Sequence, residues 1–494
     1  MSESRTARVL ILSSGSILTA LVSILSGMVL TRLLSQHDFG TYRQAILAIT
    51  FAAPFVMLGL DRVLFTFLPK VVENPRATLT DNLTLLVMAG GLLSSFALLG
   101  GNHLLAKRFD NPALSPLLGW FGLYALFFLP AAAVSACLLA RQQTRTLAVY
   151  NVASRVMNFL FVAGLVWFWR TPGMALLGVL IGTMLNCLTG FWLMWRACPG
   201  PDWRPSLAGM QQQLQFAIPL GLASLLGTLT VNMDQMIVSM RCPPAQFAVY
   251  TVGAMEIPLI GIITGSITSV VLVDYARFYQ AGRIDQVIRL MQTAMSRSAL
   301  ILLPAMLLLW VLAPYLMRLL YGTNYAAAAV PFRIYLLLLP LRTLTFGAVF
   351  QATGSTRPIL VQSAFSLLIC GGMGWMLTGW LGAPGAASAT VTVAYVFSLP
   401  YSLWILRQRL QISAWEIFPW KVLGRIFVAS GLAAGAAWLA VSFLNQHPVV
   451  VVTVATGIFV PLALAGLVWF GAADTKLLKN IWNSLLPKKT PPGT

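Results

Sequence analysis

The sequence predicts an all-α polytopic membrane protein of about fourteen transmembrane helices, two six-helix repeats followed by a final pair. Three observations predict it. The chain of 494 residues is 58% hydrophobic and only 9% charged, with mean hydropathy +0.81. A water-soluble fold of that length needs far more charge to cover its surface. Its apolar residues fall into fourteen stretches, each long enough to cross the ~30 Å hydrocarbon core at 1.5 Å per residue. And the chain repeats itself at an offset of 208 to 212 residues.

The repeat is carried by loops and prolines. Thr144-Arg145-Thr146-Leu147 returns as Thr356-Arg357-Pro358-Ile359, Val149 as Val361, Pro172-Gly173 as Pro384-Gly385 and Trp192 as Trp404, all at offset 212. Phe39-Gly40-Thr41-Tyr42 returns as Phe247-Ala248-Val249-Tyr250 at 208, and Pro130 as Pro340 at 210. Two such halves are the sequence sign of a transporter that rocks one half against the other.

The spans are placed at 9–31, 44–68, 82–105, 115–140, 148–169, 173–195, 213–237, 247–273, 295–317, 328–352, 359–380, 384–406, 422–444 and 448–471. The first holds no charge from Val9 to Arg32 and is a retained helix, not a signal peptide, because no small-residue cleavage site and soluble domain follow it. Spans 1–6 and 7–12 are the repeats. Six is even, so both enter the membrane from the same side. The expected organisation is an N-lobe at 1–197, a cytoplasmic linker at 198–212 around Pro199-Gly200-Pro201, a C-lobe at 213–408, spans 13–14 within 409–471, and a disordered cytoplasmic tail at 472–494.

Charge sets the orientation. The net charge of +19 would suggest nucleic acid in a soluble protein, but here Lys and Arg lie between apolar spans and no nucleic-acid motif, phosphate loop or zinc spacing appears. With the N-terminus in the cytoplasm, 21 of the 32 Lys and Arg fall on the cytoplasmic side, seven on the outer side and four within spans. That asymmetry predicts both termini inside. Residues 275–294 place Ile284, Val287, Ile288 and Met291 on one helical face, which predicts an amphipathic helix lying on the inner surface. The five cysteines show no close pairing and read as buried small hydrophobes, with no extracytoplasmic disulfide.

A charge inside a span costs several kcal/mol unless paired or hydrated, so each is a candidate site residue. They are Asp61, Arg62, Arg155, Asp234, Glu256, Arg333 and Arg342, with Asp274 at the inner end of span 8. Arg342 lies about ten residues from either end of span 10, too deep to snorkel, and must face a wet cavity or an acid. Arg62 and Arg155 lie about two turns in from the cytoplasmic side; Arg333 is near the outer end and reads as an anchor. Glu256 stands just before the helix-breaking Pro258, where a carboxylate suits ion coupling or a structural ion pair. Asp234, near the outer end of span 7, is a gating or coupling candidate. Asp61 and Arg62 are helix neighbours ~100° apart and are expected to pair with other helices rather than with each other. Arginines in a hydrophobic bundle suit an anionic, phosphate-bearing substrate or an internal ion-pair network.

Beyond these charges, Thr31-Arg32-Leu33-Leu34-Ser35-Gln36-His37-Asp38-Phe39-Gly40-Thr41-Tyr42, Leu58-Gly59-Leu60-Asp61, Ile218-Pro219-Leu220 and Asp234-Gln235-Met236-Ile237-Val238 stand out. With them the chain resembles the polysaccharide-transporter (Wzx-type) branch of the multidrug/oligosaccharidyl-lipid/polysaccharide (MOP) exporter superfamily, over residues ~8–470. The resemblance implies a bacterial inner-membrane flippase and not an enzyme, with no cofactor or metal. It implies a two-lobed, V-shaped fold whose cationic cavity takes the pyrophosphate and sugar head of an undecaprenyl-linked oligosaccharide, its tail left in membrane lipid. The oligosaccharide would be an O-antigen, capsule or exopolysaccharide unit. Alternating access would be coupled to an H+ or Na+ gradient, in a pathway with glycosyltransferases and a polymerase. Arg62, Arg155 and Arg342 fit substrate binding by depth; Asp61, Asp234 and Glu256 are the coupling or gating candidates. Alternatives are a multidrug cation antiporter of the same fold, a lipid II flippase, in which a pair like spans 13 and 14 lines a groove for the lipid tail, and a membrane-embedded polymerase. The short outer loops argue against the last, which needs room for acid and base residues.

Overall fold

A computed structural model describes residues 5–71, 73–201, 203–255, 257–353, 357–413, 415–443 and 447–472. Glu256 and the tail from residue 473 lie outside the described residues. Among those described the secondary structure is helical, with no strand. Nine single helices are long and apolar enough to cross a membrane, and four bent helix pairs raise the number to thirteen. The remaining predicted span, span 8 at 247–273, corresponds to Pro244–Gly253 and Pro258–Gln280.

Corresponding spans of the two repeats are both broken, though not at matching positions. Span 2 is Gln36–Met57 and Leu60–Lys70 with a 46° bend, and span 8 divides after Gly253. Span 4 is Leu114–Phe121 and Tyr124–Ala140 at 52°, and span 10 is Thr323–Leu336 and Leu339–Ala352 at 45°. The span 2 break has a local cause: Leu58 and Gly59 both take left-handed backbone (φ 40° and 84°), which ends one helix and starts the next. Span 7, Leu207–Arg241, also bends, beyond its internal Pro219, with no counterpart in span 1.

The chain forms two compact units, Met1–Ile262 with Leu360–Val393, and Ile263–Ile359 with Ala394–Thr494. The first therefore holds span 7 as well as the whole first repeat. Its core packs Leu64, Leu68 and Leu86 against Val134, Cys137 and Met194 of spans 4 and 6. Two glycines permit its closest helix approaches. A Cβ on Gly40 would collide with the Pro244 backbone, and one on Gly221 with the Leu58 backbone. Gly40 belongs to the Phe39-Gly40-Thr41-Tyr42 segment, so that motif works as a helix contact. Ser35 in the same motif caps span 2, its hydroxyl accepting from the Asp38 N–H at 3.1 Å.

In the second unit, span 9 (Ile284–Tyr321) packs Leu312 against Ala433, Ala437, Val451 and Ala455 of spans 13 and 14. Small side chains let these helices meet without a hydrophobic driving force from water. No surface helix occupies 275–294. Residues up to Gln280 continue span 8, and Ile284 onward continues span 9; Gly282 (φ 69°) makes the turn between them. The apolar face seen in the sequence exists, but Val287 and Met291 are buried against Val271, Tyr275 and Val349 rather than laid on lipid.

Candidate functional site

Asp61 and Arg62 stand in the first turn after the span 2 break, in Leu60–Phe67. They pair with each other, Arg62 Nε lying 3.7 Å from Asp61 Oδ2, contrary to the expectation that helix neighbours turn apart. The guanidinium stem is long enough to fold back onto the carboxylate across that angle. Both remain accessible, Arg62 at 57% and Asp61 at 33% of the side chain. An accessible ion pair inside an apolar span must meet water or a polar ligand.

Arg155 is exposed on span 5, Thr144–Trp169. Its charge acts on the Tyr42 and Tyr124 phenols. Tyr124 is stacked between Phe121 (5.0 Å) and Phe128 (5.1 Å), and Tyr42 lies 6.1 Å from Phe39. An exposed guanidinium offers a charge for phosphate, and the aromatic ladder offers ring faces for sugar.

Asp234 has a different setting. It is 3% exposed, and the buried Tyr250 donates its hydroxyl to Oδ2 at 2.5 Å. Tyr250 is the repeat counterpart of Tyr42. One repeat thus sets this tyrosine near a cation, the other against a carboxylate.

Arg342 belongs to the second unit. It ends the four-residue helix Leu339–Arg342, between the span 10 break and the next helix, Phe346–Ala352. Its side chain is exposed. Below it Thr343 Oγ donates to the Pro340 carbonyl at 2.7 Å, and Thr345 and Tyr275 hydroxyls lie 2.8 Å apart. A cation on interrupted backbone at depth is how discontinuous helices line transporter sites. Arg333, the predicted anchor, donates from Nε to the Trp310 carbonyl at 2.9 Å.

The structure also shows polar residues that a count of formal charges within spans passes over. Asp81 of span 3 is 4% exposed and accepts from the Ser206 N–H at 2.6 Å and the Ser206 hydroxyl at 3.2 Å. Ser206 caps span 7, so a carboxylate from the first repeat holds the start of the second. Beside it Asn82 Nδ2 donates to Gln213 Oε1 at 3.0 Å, and Gln213 Nε2 to the Thr78 carbonyl at 2.9 Å. At the other end of span 7 the Gln44 amide donates to the Ser239 carbonyl at 3.4 Å. The signal was the neutral amides Asn82 and Gln213 at the rims of spans 3 and 7. Cys137 and Cys198, expected apart, have sulfurs 3.6 Å apart, because the end of span 4 and the cap of span 6 share one core. The hydrogen bond between the two thiols and the nearby Arg141 guanidinium lower the Cys198 thiol below its ordinary value. Among the described residues no cluster of three His, Cys, Asp or Glu could hold a metal.

A family model described as polysaccharide biosynthesis protein matches residues 29–330. No curated protein matches the chain. The fold is similar to that of the lipid II flippase MurJ in an inward closed conformation, at 13% identity and TM-score 0.77, covering 94% of this chain and 99% of that one. It is similar to an inward-facing multidrug resistance MATE family transporter of the MOP superfamily, at 15% identity and TM-score 0.65, covering 82% of this chain and 98% of that one. A third is a MOP superfamily transporter from Pyrococcus furiosus, whose reversed binding-pocket polarity is taken to suggest a different function, at 14% identity and TM-score 0.57, covering 82% and 95%.

Proposed function

For a chain that belongs to the polysaccharide biosynthesis protein family and has the MOP transporter fold, we propose that it flips a lipid-linked oligosaccharide with an anionic head across the bacterial inner membrane. The head is that of an undecaprenyl-pyrophosphate-linked unit of an O-antigen, capsule or exopolysaccharide. The observation that carries this is the state of the intramembrane charges. Arg62, Arg155 and Arg342 are all exposed on apolar spans, while Asp61 is paired with Arg62 and Asp234 is buried beneath Tyr250. The Arg62–Asp61 pair is accessible but neutral, so the excess of accessible charge, on Arg155 and Arg342, is cationic. A cation antiporter of the same fold would present the opposite sign. Spans 13 and 14, which a twelve-span drug exporter lacks, also favour a lipid-linked cargo.

The protein works by alternating access of the two repeats, with both termini in the cytoplasm, driven by an inward H+ or Na+ gradient. Asp61, Asp234 and Glu256 are the coupling candidates. Arg342→Ala tests the site: polymer export in cells is lost while membrane abundance stays at the wild-type level. Export at wild-type rate in that variant overturns the assignment. Glu256→Gln separates coupling from binding, since it removes the gradient dependence of transport and leaves substrate retention.

A further inference from the structure

The surface of the first compact unit carries a cavity of ≈ 530 Å³ between spans 5 and 6 that flipping does not use. Its size falls in the range of about 300–1,000 Å³ typical of small-molecule sites. Along span 5 it is lined by Arg145, Val149, Tyr150, Ala153 and Met157, and Leu193 of span 6 closes it. These span 5 residues recur every three or four positions, so they form one helix face. The opposite side of the same helix is occupied, since Ala148 meets Gly15 of span 1.

The groove is pre-formed. The Tyr150 hydroxyl donates to the Asn186 carbonyl at 2.9 Å, the Thr189 hydroxyl donates to the Leu185 carbonyl at 2.9 Å, and Gly190 leaves room for the phenol end of Tyr150. These bonds make a floor that does not need a ligand to hold it. The walls open outward through exposed apolar side chains, Val149 among them at 68% exposed. In a membrane-spanning helix pair such a surface is covered by lipid.

We infer that this groove holds one chain of an anionic phospholipid of the surrounding bilayer, with the phosphate on Arg145. Three features choose that occupant. The single cation of the lining stands at its end, at the second residue of the span 5 helix, where the helix meets the water boundary. A phosphodiester is the membrane's anion at that level, and a guanidinium binds it in two-pronged fashion. The lining runs from Arg145 to Met157, which at 1.5 Å per residue is about 18 Å. That is close to one leaflet of a ~30 Å hydrocarbon core, the reach of an ordinary acyl chain and not of a membrane-long polyprenyl chain. The site is separate from the one proposed for the flipped head, and its test does not require transport.

The experiment uses the full chain purified into detergent micelles and exchanged into nanodiscs of phosphatidylcholine with added phosphatidylglycerol. Native mass spectrometry counts retained lipid, and a photoreactive phosphatidylglycerol maps the contact. The wild type retains one phosphatidylglycerol at least five-fold more than phosphatidylcholine, with crosslinks on Val149, Ala153 or Leu193. Ala153→Trp, at an exposed position that tolerates bulk, fills the groove and loses that lipid and those crosslinks. Arg145→Ala keeps a chain in the groove but loses the preference for the anionic headgroup. Equal retention of the two lipids by the wild type, or unchanged retention in Ala153→Trp, overturns the inference. So does displacement of the lipid by undecaprenyl phosphate at equal mole fraction, which would make the groove part of the substrate path.

Discussion

Single side chains divide into those that hold the bundle and those left for a substrate. Asp81 belongs to the first group. It is buried without a cationic partner yet accepts two hydrogen bonds at the start of span 7. Asp81→Ala leaves the span 7 cap without its acceptor and costs about 1–2 kcal/mol. That is read as a lower melting temperature in detergent, with Asp81→Asn recovering part of it; an unchanged temperature in both would show the cap to be idle. Tyr250→Phe strips Asp234 of its hydroxyl donor and destabilises the fold by about 1–3 kcal/mol, because a buried carboxylate is left short of a partner. Arg155 is proposed for the second group. Arg155→Ala is expected to cut transport at least ten-fold with normal abundance, and Arg155→Lys to recover only part, since an ammonium keeps the charge but not the fork. Full activity of Arg155→Ala would assign the residue to the scaffold.

At the level of helices, the apolar runs were legible in the sequence because hydrophobicity acts locally, whereas the bends inside spans 2, 4, 7 and 10 were not. All thirteen described spans fall on predicted stretches, and the remaining predicted stretch is span 8. The repeat was legible too, although spans 2 and 8 break at different points along their length. What could not be read were features that depend on which helix lies beside which. Cys137 and Cys198 meet only because spans 4 and 6 converge. Asp61 and Arg62 were expected to turn apart, because an angle between Cα–Cβ bonds says nothing of how far an arginine stem bends back. Val287 and Met291 formed the expected apolar stripe, but tertiary packing, not lipid, covers it. Gly40 is the element-scale test. Gly40→Leu must push span 2 away from Pro244 and is expected to cost more than about 2 kcal/mol and to lower the amount of folded protein in membranes. Wild-type abundance of that variant would mean that the contact is not needed.

For the molecule as a whole, symmetry and asymmetry have separate work. The prolines and loops repeat, and these shape the scaffold. The intramembrane charges do not: the positions matching Arg155 and Arg342 at offsets of 212 and 210 are Leu367 and Ala132. That asymmetry suits the proposal of an anionic cargo. The charge asymmetry of the loops predicts that reporters fused at either terminus are active only in the cytoplasm, and an external N-terminus would invert the reading. The most direct measurement of the central claim is flipping in proteoliposomes. The purified chain is reconstituted with an undecaprenyl-pyrophosphate-linked oligosaccharide, and a membrane-impermeant glycosidase reports the sugar that becomes accessible outside. Wild type under an ion gradient is expected to expose the sugar well above protein-free vesicles, and Arg342→Ala at equal density to match those vesicles. Equal exposure by wild type, Arg342→Ala and protein-free vesicles would contradict the account.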